Sequence, residues 1–464
     1  MTTITTWPEL PDLRGWLALL DQQGDLRRLR GSIDGDQEVA AVLTRCDGVS
    51  AVLFEDVDGA AFPLVGNTVS QRRHFAQAIR CADQDVVRRL AAAIGSPAPL
   101  TEVAPADAPV AEVEDDGPDL LSDLPLPVQH ERDGGRYVTS ALLCVQDPRS
   151  GLTNLSINRL QVAGPRELRA LLLPGRLRQV FDEHESRGED LPVALVIGVD
   201  PLLTLASQAP AEAGIDDLGV ASALHPRPLE VVRLPGHPTP VPARAEVVLL
   251  GHLRAGRRAE EGPFGEYPRT YGPGGPAPVL ELSRRFRRAQ PIVQTILSGG
   301  REHFWVGGLP REARLMTALG RAGVPARAVR LTEAGSCRMH AVVSVRRAGP
   351  GAAFHAAMAV FAALAPVKLV VVVDDDVDVF DDEQVGWAVA TRFQADTDLM
   401  VVPRVRGGGL DPSAAPDGST AKLALDATVG PAAAGERYAE MRSAVRDPGR
   451  LGALLGMLEP GLHG

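Results

Sequence analysis

The run Glu261-Gly262-Pro263-Phe264-Gly265-Glu266 places two carboxylates on one short loop with an aromatic ring between them. Glycine and proline favour a stiff turn over a helix, so both side chains can be aimed into one pocket. A carboxyl group that must give up a proton near neutral pH needs a shifted pKa, which burial in such a loop supplies. Upstream lies Thr153-Asn154-Leu155-Ser156-Ile157-Asn158-Arg159, which reads as a strand. Alternation puts Asn154 and Ser156 on one face and Arg159 on the other unless the strand bulges. An arginine facing two glutamates would bind a carboxylate with its two-pronged fork and lower the pKa of any glutamate it paired with. Downstream, Trp387-Ala388-Val389-Ala390-Thr391-Arg392 completes the candidate set.

Other runs have duller readings. Asp374-Asp375-Asp376 with Asp378 follows an apolar strand, where a layered α/β domain could hold magnesium. The competing reading, which we favour, is a solvated loop whose acids cap the next helix. Gly407-Gly408-Gly409 lacks the following Lys-Ser/Thr of a phosphate loop, and the ten histidines form no HExxH pattern. The four cysteines (Cys46, Cys81, Cys144 and Cys337) are scattered, which argues against a disulfide framework or a zinc site.

The elements that must position these residues follow from length and periodicity. A chain of 464 residues is long enough for two or three domains with ample core. Its formal charge of −11 argues against general nucleic-acid affinity, and no apolar run is long enough to cross a bilayer. Residues 1–20 lack a signal-peptide core, so the expected location is the cytoplasm. Asp12 should cap a helix burying Leu13, Trp16, Leu17 and Leu20. Strands at 51–57 and 62–65 and a helical stretch at 72–94 complete a small α/β unit. Residues 96–118, rich in proline and acids, read as a linker. Strands then follow at 137–146, 155–162, 193–199, 229–234 and 245–253, with a helix expected at 167–173. That density of strands suggests a barrel- or sandwich-like core. Beyond residue 302 helices and strands alternate, and 368–373 reads as a buried strand of a parallel sheet. The expected class is α/β, with domains at 1–116, 117–300 and 301–464.

Taken together, these segments resemble the UbiD-like decarboxylases, the prenylated-flavin enzymes that include ferulic acid decarboxylase. Further landmarks are Asp133-Gly134-Gly135 with Tyr137 and Thr139, Asp147-Pro148 with Gly151, Leu410-Asp411-Pro412 and Asp426-Ala427-Thr428. The resemblance spans nearly the whole chain. It implies an N-terminal α/β unit, a split β-barrel that holds the flavin, and a C-terminal α/β domain used for oligomerisation. It also implies reversible, non-oxidative decarboxylation of an α,β-unsaturated, aryl or heteroaryl acid, in a homo-oligomer (dimer or hexamer) supplied with cofactor by a flavin prenyltransferase.

Residue by residue, Arg159 stands where the family has its catalytic arginine, and Glu261 and Glu266 match the two glutamates of its triad. Glu261 would hold the arginine and Glu266 would deliver the proton after carbon dioxide leaves. The implied flavin contacts are Asn154, Ser156, Ile157, Arg159, Arg176, Ala206, Ser207 and Lys368. Among these, Ala206 and Ser207 would bind potassium and Lys368 would reach the phosphate. A manganese-type ion would sit on Asn154 and Asp217, but here the chain departs from the pattern. Pro174-Gly175-Arg176-Leu177-Arg178 has no histidine where one is expected, His184 lies too far along, and Asp217 replaces a glutamate. Losing one ligand and shortening another weakens a divalent site. Either Arg176 or Arg178 replaces the metal as a fixed positive charge, or the chain survives as a scaffold or partner subunit.

Overall fold

The computed structural model describes residues 12–209, 214–346, 349, 351–429 and 448–457. Asp12 accepts a hydrogen bond from the Gly15 amide and caps the helix Leu13–Gln22, whose Leu13, Trp16, Leu17 and Leu20 are all buried. The strands Ala51–Phe54 and Leu64–Gly66 pair antiparallel in a four-stranded sheet. That sheet is completed by Val293–Gln294, returning from far along the chain. The helical stretch expected at 72–94 is two helices, Arg72–Ile79 and Val86–Gly95, because Arg80 adopts a left-handed conformation between them. Such a residue ends the i to i−4 ladder.

A nine-stranded antiparallel sheet forms the middle of the molecule. Its path runs through Tyr137–Val138, Leu160–Val162, Glu167–Ala170, Gly275–Arg287, Val247–Glu261, Leu191–Ile197, Leu142–Gln146 and Thr153–Ile157, with Val113–Asp115 added on Gly275–Arg287. The helix expected at 167–173 is therefore a strand. Leu168 and Ala170 point inward and Glu167 and Arg169 outward, a period of two that propensity alone does not reveal. One connection shapes the whole sheet. Thr153–Ile157 lies at one end of the path, and Leu160–Val162 lies next to the other, yet only Asn158 and Arg159 separate them. Two residues span about 10 Å at most, so the sheet has to curl until its ends nearly meet. It does not close by strand pairing, and Arg159 sits at the split.

The C-terminal domain is a five-stranded sheet ordered Ala326–Leu331, His340–Val345, Leu369–Asp374, Ser419–Ala427, Leu399–Arg406. The inner three strands are parallel, and the two edges run antiparallel. The helix Arg301–Arg321 links this domain to the rest, packing against both Val86–Gly95 and Ala352–Ala363. Two buried acids fix it. Glu302 accepts from the Thr68 hydroxyl at 2.5 Å and the Val69 amide at 3.2 Å, and Glu312 accepts from the Leu331 amide at 2.9 Å and Arg72 at 3.0 Å. Both carboxylates thus tie one helix to two domains, fixing the cleft between them.

The acidic run after the Leu369–Asp374 strand departs from the solvated-cap reading: Asp374 is buried, and the next helix, Asp382–Arg392, is capped by Asp381 outside the run. Arg392 pairs with Asp376 at 2.8 Å and lies 3.6 Å from Asp374, whose carboxylate also accepts from the Val429 amide. No group of three or more His, Cys, Asp or Glu side chains suited to a metal ion occurs among the described residues. No helix among them is long and apolar enough to cross a membrane.

Candidate active site

The break at Asn158-Arg159 resolves the facing problem posed by strand alternation. Freed from the ladder, Arg159 turns into the split and meets both acids of the 261–266 loop. Its Nη2 donates to Glu261 Oε2 at 2.7 Å and its Nη1 to Glu266 Oε1 at 2.5 Å. All three are buried, at 9%, 2% and 8% exposure. Charges this deep are tolerated only when paired and hydrogen-bonded.

The loop is held from several directions. The Gly265 amide donates to Asp133 at 2.8 Å, the Gly134 amide donates to the Pro263 carbonyl at 2.7 Å, and the Gly262 amide donates to Gln161 at 3.2 Å. Gly262 has φ +90°, a region that L side chains rarely adopt. Phe264–Gly265 pairs with Tyr271–Gly272, and a Cβ on Gly272 would lie 2.9 Å from Arg159 Nη1 and 3.2 Å from Glu266 Cγ. The pairing strand therefore needs glycine where it crosses the ion pair.

The two acids are not equivalent. Glu261 also accepts from the Tyr137 hydroxyl at 3.0 Å, and the Tyr137 ring lies 4.3 Å from that of Phe264. Among the described residues Glu266 has Arg159 as its sole side-chain hydrogen-bond partner, and it borders the cleft. Burial pushes the Glu266 carboxyl above the usual range, and Arg159 only partly offsets this. Arg159 is pulled down by burial but raised overall by its two acids. The expectation that arginine pairing would separate the glutamates fails, since Arg159 grips both; the Tyr137 contact and the cleft-facing position separate them instead.

A second polar group lies on the neighbouring strand. Asp217 is buried (1% exposed) at the start of the helix Asp217–Leu224, and its Oδ2 accepts from Asn154 Nδ2 at 2.9 Å, the Leu155 amide at 2.8 Å and Arg176 Nη2 at 2.8 Å. Arg176 Nη1 donates to the Ile215 carbonyl at 2.6 Å. Burial raises Asp217 to about 6, with Arg176 pulling the other way. These residues do not fit a divalent ion. One carboxylate and one amide remain, two ligands at most, and a guanidinium holds the carboxylate's Oδ2 while its Oδ1 and Asn154 Oδ1 stay unpartnered. His184 is spent on the Val180 carbonyl, and Arg178 pairs with Asp182. The Ser207 hydroxyl expected to bind potassium donates to the Thr204 carbonyl at 2.7 Å, and the Ala206 carbonyl accepts from the Ala209 amide. Lys368 pairs with Asp411 at 2.9 Å inside the C-terminal domain. A flavin is better matched. Arg159 Nε is a buried donor without a hydrogen-bond partner, which a flavin acceptor would meet, and Ile157 and Leu171 line the cleft beside it. Asn154 Oδ1 and Asp217 Oδ1 are buried acceptors without a partner, which suit a cation and not a phosphate. Ser156 accepts from Asn158 Nδ2 at 2.9 Å one residue before the break.

Residues 17–94, 101–301 and 304–427 match, in turn, the N-terminal, Rift-related and C-terminal domain models of 3-octaprenyl-4-hydroxybenzoate carboxy-lyase. The chain belongs to the UbiD family. It is 35% identical over 399 residues to anhydromevalonate phosphate decarboxylase of Methanothermobacter thermautotrophicus, covering 86% of this chain and 93% of the relative. It is 28% identical to gallate decarboxylase of Lactiplantibacillus plantarum, covering 82% of this chain and 84% of the relative. The UbiD-class enzyme HmfF from Pelotomaculum thermopropionicum in complex with FMN superposes with a TM-score of 0.91, at 44% identity, over 93% of this chain and 97% of that one. An evolved dimeric form of HmfF in complex with prFMN superposes with a TM-score of 0.87, at 41% identity, over 94% and 97%. This UbiD-family chain is accordingly a decarboxylase, a carboxy-lyase.

Sequence reading missed three residues of the cleft wall: His303, Arg311 and Arg338. Isolated cations in a helix or before a strand carry no motif, and only the absence of a nearby acid in space marks them.

Proposed function

We propose that this chain decarboxylates a small α,β-unsaturated, aryl or heteroaryl acid at the Arg159–Glu261–Glu266 centre with prenylated FMN as cofactor. The observation behind this reading is the convergence of one arginine and two glutamates at the split of the curled sheet, beside a cleft closed by the C-terminal domain. The modified flavin, when bound, supplies the electron sink for carbon–carbon cleavage.

The protein's part follows from geometry. Arg159 orients the substrate carboxylate by its charge and its unpartnered Nε, while Glu261 and Glu266 hold its two Nη atoms and Tyr137 fixes Glu261. Loss of carbon dioxide leaves an electron pair on the former carboxyl-bearing carbon. Glu266, held above the usual carboxyl range and facing the cleft, gives that carbon its proton and is reprotonated from solvent. Apolar neighbours such as Ile296 and Phe264 limit water beside the reacting carbon.

Arg176 takes the place of the divalent ion in this reading. It offers a fixed positive charge beside Asn154 for the flavin phosphate, with Asp217 holding it in position. Supply of the cofactor falls to a flavin prenyltransferase, and the C-terminal domain mediates homo-oligomerisation. The relatives' names span a phosphate-bearing acid and an aryl acid, so the family resemblance leaves the substrate open. The deciding experiment co-produces the chain with a flavin prenyltransferase and screens unsaturated, aryl and heteroaryl acids for carbon dioxide release. Release from at least one class is expected. A flavin-loaded protein inert toward all of them would overturn the reading.

A further inference from the structure

Glu266 opens a tight turn. Its amide donates to the Thr270 carbonyl at 2.9 Å, and its carbonyl accepts from the Arg269 amide at 2.9 Å. Arg269 closes the turn with φ +62°, a left-handed backbone that an L side chain adopts at a cost. Its side chain crosses to the start of the helix Arg301–Arg321. Nε donates to the Gly299 carbonyl at 3.1 Å, and the guanidinium lies over the buried Phe304 ring, 5.0 Å from its centroid. The two segments touch closely: a Cβ on Gly299 would lie 3.3 Å from Arg269 Cγ and 3.4 Å from the Glu266 carbonyl oxygen.

On the other side of Glu266, the Gly265 carbonyl accepts from the Ser298 hydroxyl. Ser298 is buried at 5% exposure and borders the cleft. Its amide donates to Gln129 Oε1 at 2.9 Å, and Gln129 Nε2 donates to the Ile296 carbonyl at 2.9 Å, so the serine is itself fixed. Glu266 is thus bracketed. The peptide before it rests on Ser298, and the corner after it rests on Gly299 and Phe304. Neither tie touches the carboxylate, which Arg159 grips. With the bracket removed, the turn could shift and the carboxylate would follow Arg159. A displacement of about 1 Å at a reacting group can cost roughly 100-fold in rate.

We propose that Ser298 and Arg269 are positioning residues for proton delivery, registering the Glu266 turn on the start of the connecting helix so that its carboxyl group meets the reacting carbon. The inference rests on the decarboxylase reading and deepens it. Ser298 is buried and Arg269 is exposed, so the serine carries the larger share.

The test pairs amide hydrogen exchange with kinetics. In the full-length chain, with and without FMN, peptides covering 265–270 should exchange roughly tenfold faster in Ser298→Ala and about threefold faster in Arg269→Gly. The strand Leu191–Ile197 should be unchanged. In the prenylated-FMN enzyme kcat should fall by the same factors, roughly tenfold and threefold, with KM within about twofold of wild type. Burial raises the Glu266 carboxyl, so loosening its turn should move the descending limb of the kcat profile to lower pH. Ser298→Thr, which keeps the hydroxyl, and Arg269→Lys, which keeps a donor, should restore part of the loss. Should Ser298→Ala fail to fold, Arg269→Gly carries the test, because glycine accepts the left-handed backbone. Unchanged exchange in both variants would overturn the proposal. So would faster exchange with kcat and the pH limb at their wild-type values, which is the result expected of a purely structural tie. Failure of the parent reading appears in the wild type instead: a loaded enzyme that releases no carbon dioxide removes the decarboxylase, and the proton-delivery role with it.

Discussion

The two walls of the cleft handle buried charge in opposite ways. At Arg159 one guanidinium faces two carboxylates, each within 2.7 Å, so its charge is answered by the protein and only Nε is left without a partner. At Arg311 and Arg338 two guanidiniums face backbone carbonyls and each other, and the set is incomplete. Charges compensated by the protein are fixed in place before substrate arrives, which suits groups that orient and transfer protons. Charges left uncompensated gain most from whatever anion enters, which suits recognition. The Asn154–Arg176–Asp217 group lies between these cases: one acid and the Ile215 and Thr153 carbonyls answer one arginine, while Asn154 Oδ1 and Asp217 Oδ1 are left without a partner.

The largest effect expected from breaking this contrast is at Arg159. Arg159→Met leaves two carboxylates buried together without their cation, which should destabilise the fold by about 3–5 kcal/mol. Thermal or urea denaturation checks this, and Arg311→Met, which strands no acid, should show no comparable loss. Next comes Arg176→Gln. Loss of a charged hydrogen bond to the flavin phosphate, worth about 1.5–3 kcal/mol, should weaken FMN binding by roughly 10–100-fold. Wild-type FMN affinity should ignore EDTA, and manganese should not rescue the variant. Elemental analysis should find less than one tightly bound divalent ion per chain; a full complement with EDTA-sensitive flavin binding would return the site to a metal.

Smaller effects sharpen the inequality between the two glutamates. Tyr137→Phe removes one donor to Glu261 and should cost about 1 kcal/mol, visible in denaturation and in a modest fall in turnover. In pH, the sign follows from the raised Glu266 carboxyl. Its proton is present at low pH and lost as pH rises through the raised value, so the donor-dependent limb of turnover should descend with pH and shift in Glu266→Asp. Asp217 gives a stability counterpart. Its folded value of about 6 exceeds the unfolded value near 3.8, so its contribution is fully present below about pH 4 and lost as pH rises through about 6. Asp217→Asn should flatten that part of the stability profile.

How much of this was legible in the sequence depended on whether the signal was local. The Asp12 cap and its helix face, the loop 261–266 and the C-terminal alternation of helix and strand are local patterns, and they read through. The Glu167–Ala170 strand did not, because four residues flanked by loops show too little of either period. Residues 72–94 read as one helix because nothing in the local pattern signals the left-handed Arg80. Whether Arg159 could reach the acids stayed undecided until the sheet path showed its two ends joined by Asn158-Arg159, a fact of long-range pairing. The absence of a histidine near Arg176 was plain from the sequence. The sequence left open whether Arg176 or Arg178 replaces the metal or the chain survives as a scaffold; that Arg176 closes on Asp217 emerges only from the fold. Lys368 pointed the wrong way because its partner, Asp411, lies 43 residues on and becomes a neighbour only when the C-terminal sheet forms.

The central claim is that Glu266 supplies the proton at a centre held by Arg159 and Glu261. Its most direct test compares wild type and Glu266→Gln, both loaded with prenylated FMN as judged by absorbance, for carbon dioxide release from the best acid found in the screen. Glu266→Gln should retain the flavin and lose turnover by roughly 100-fold or more. Turnover at the wild-type rate with the flavin in place would contradict the account.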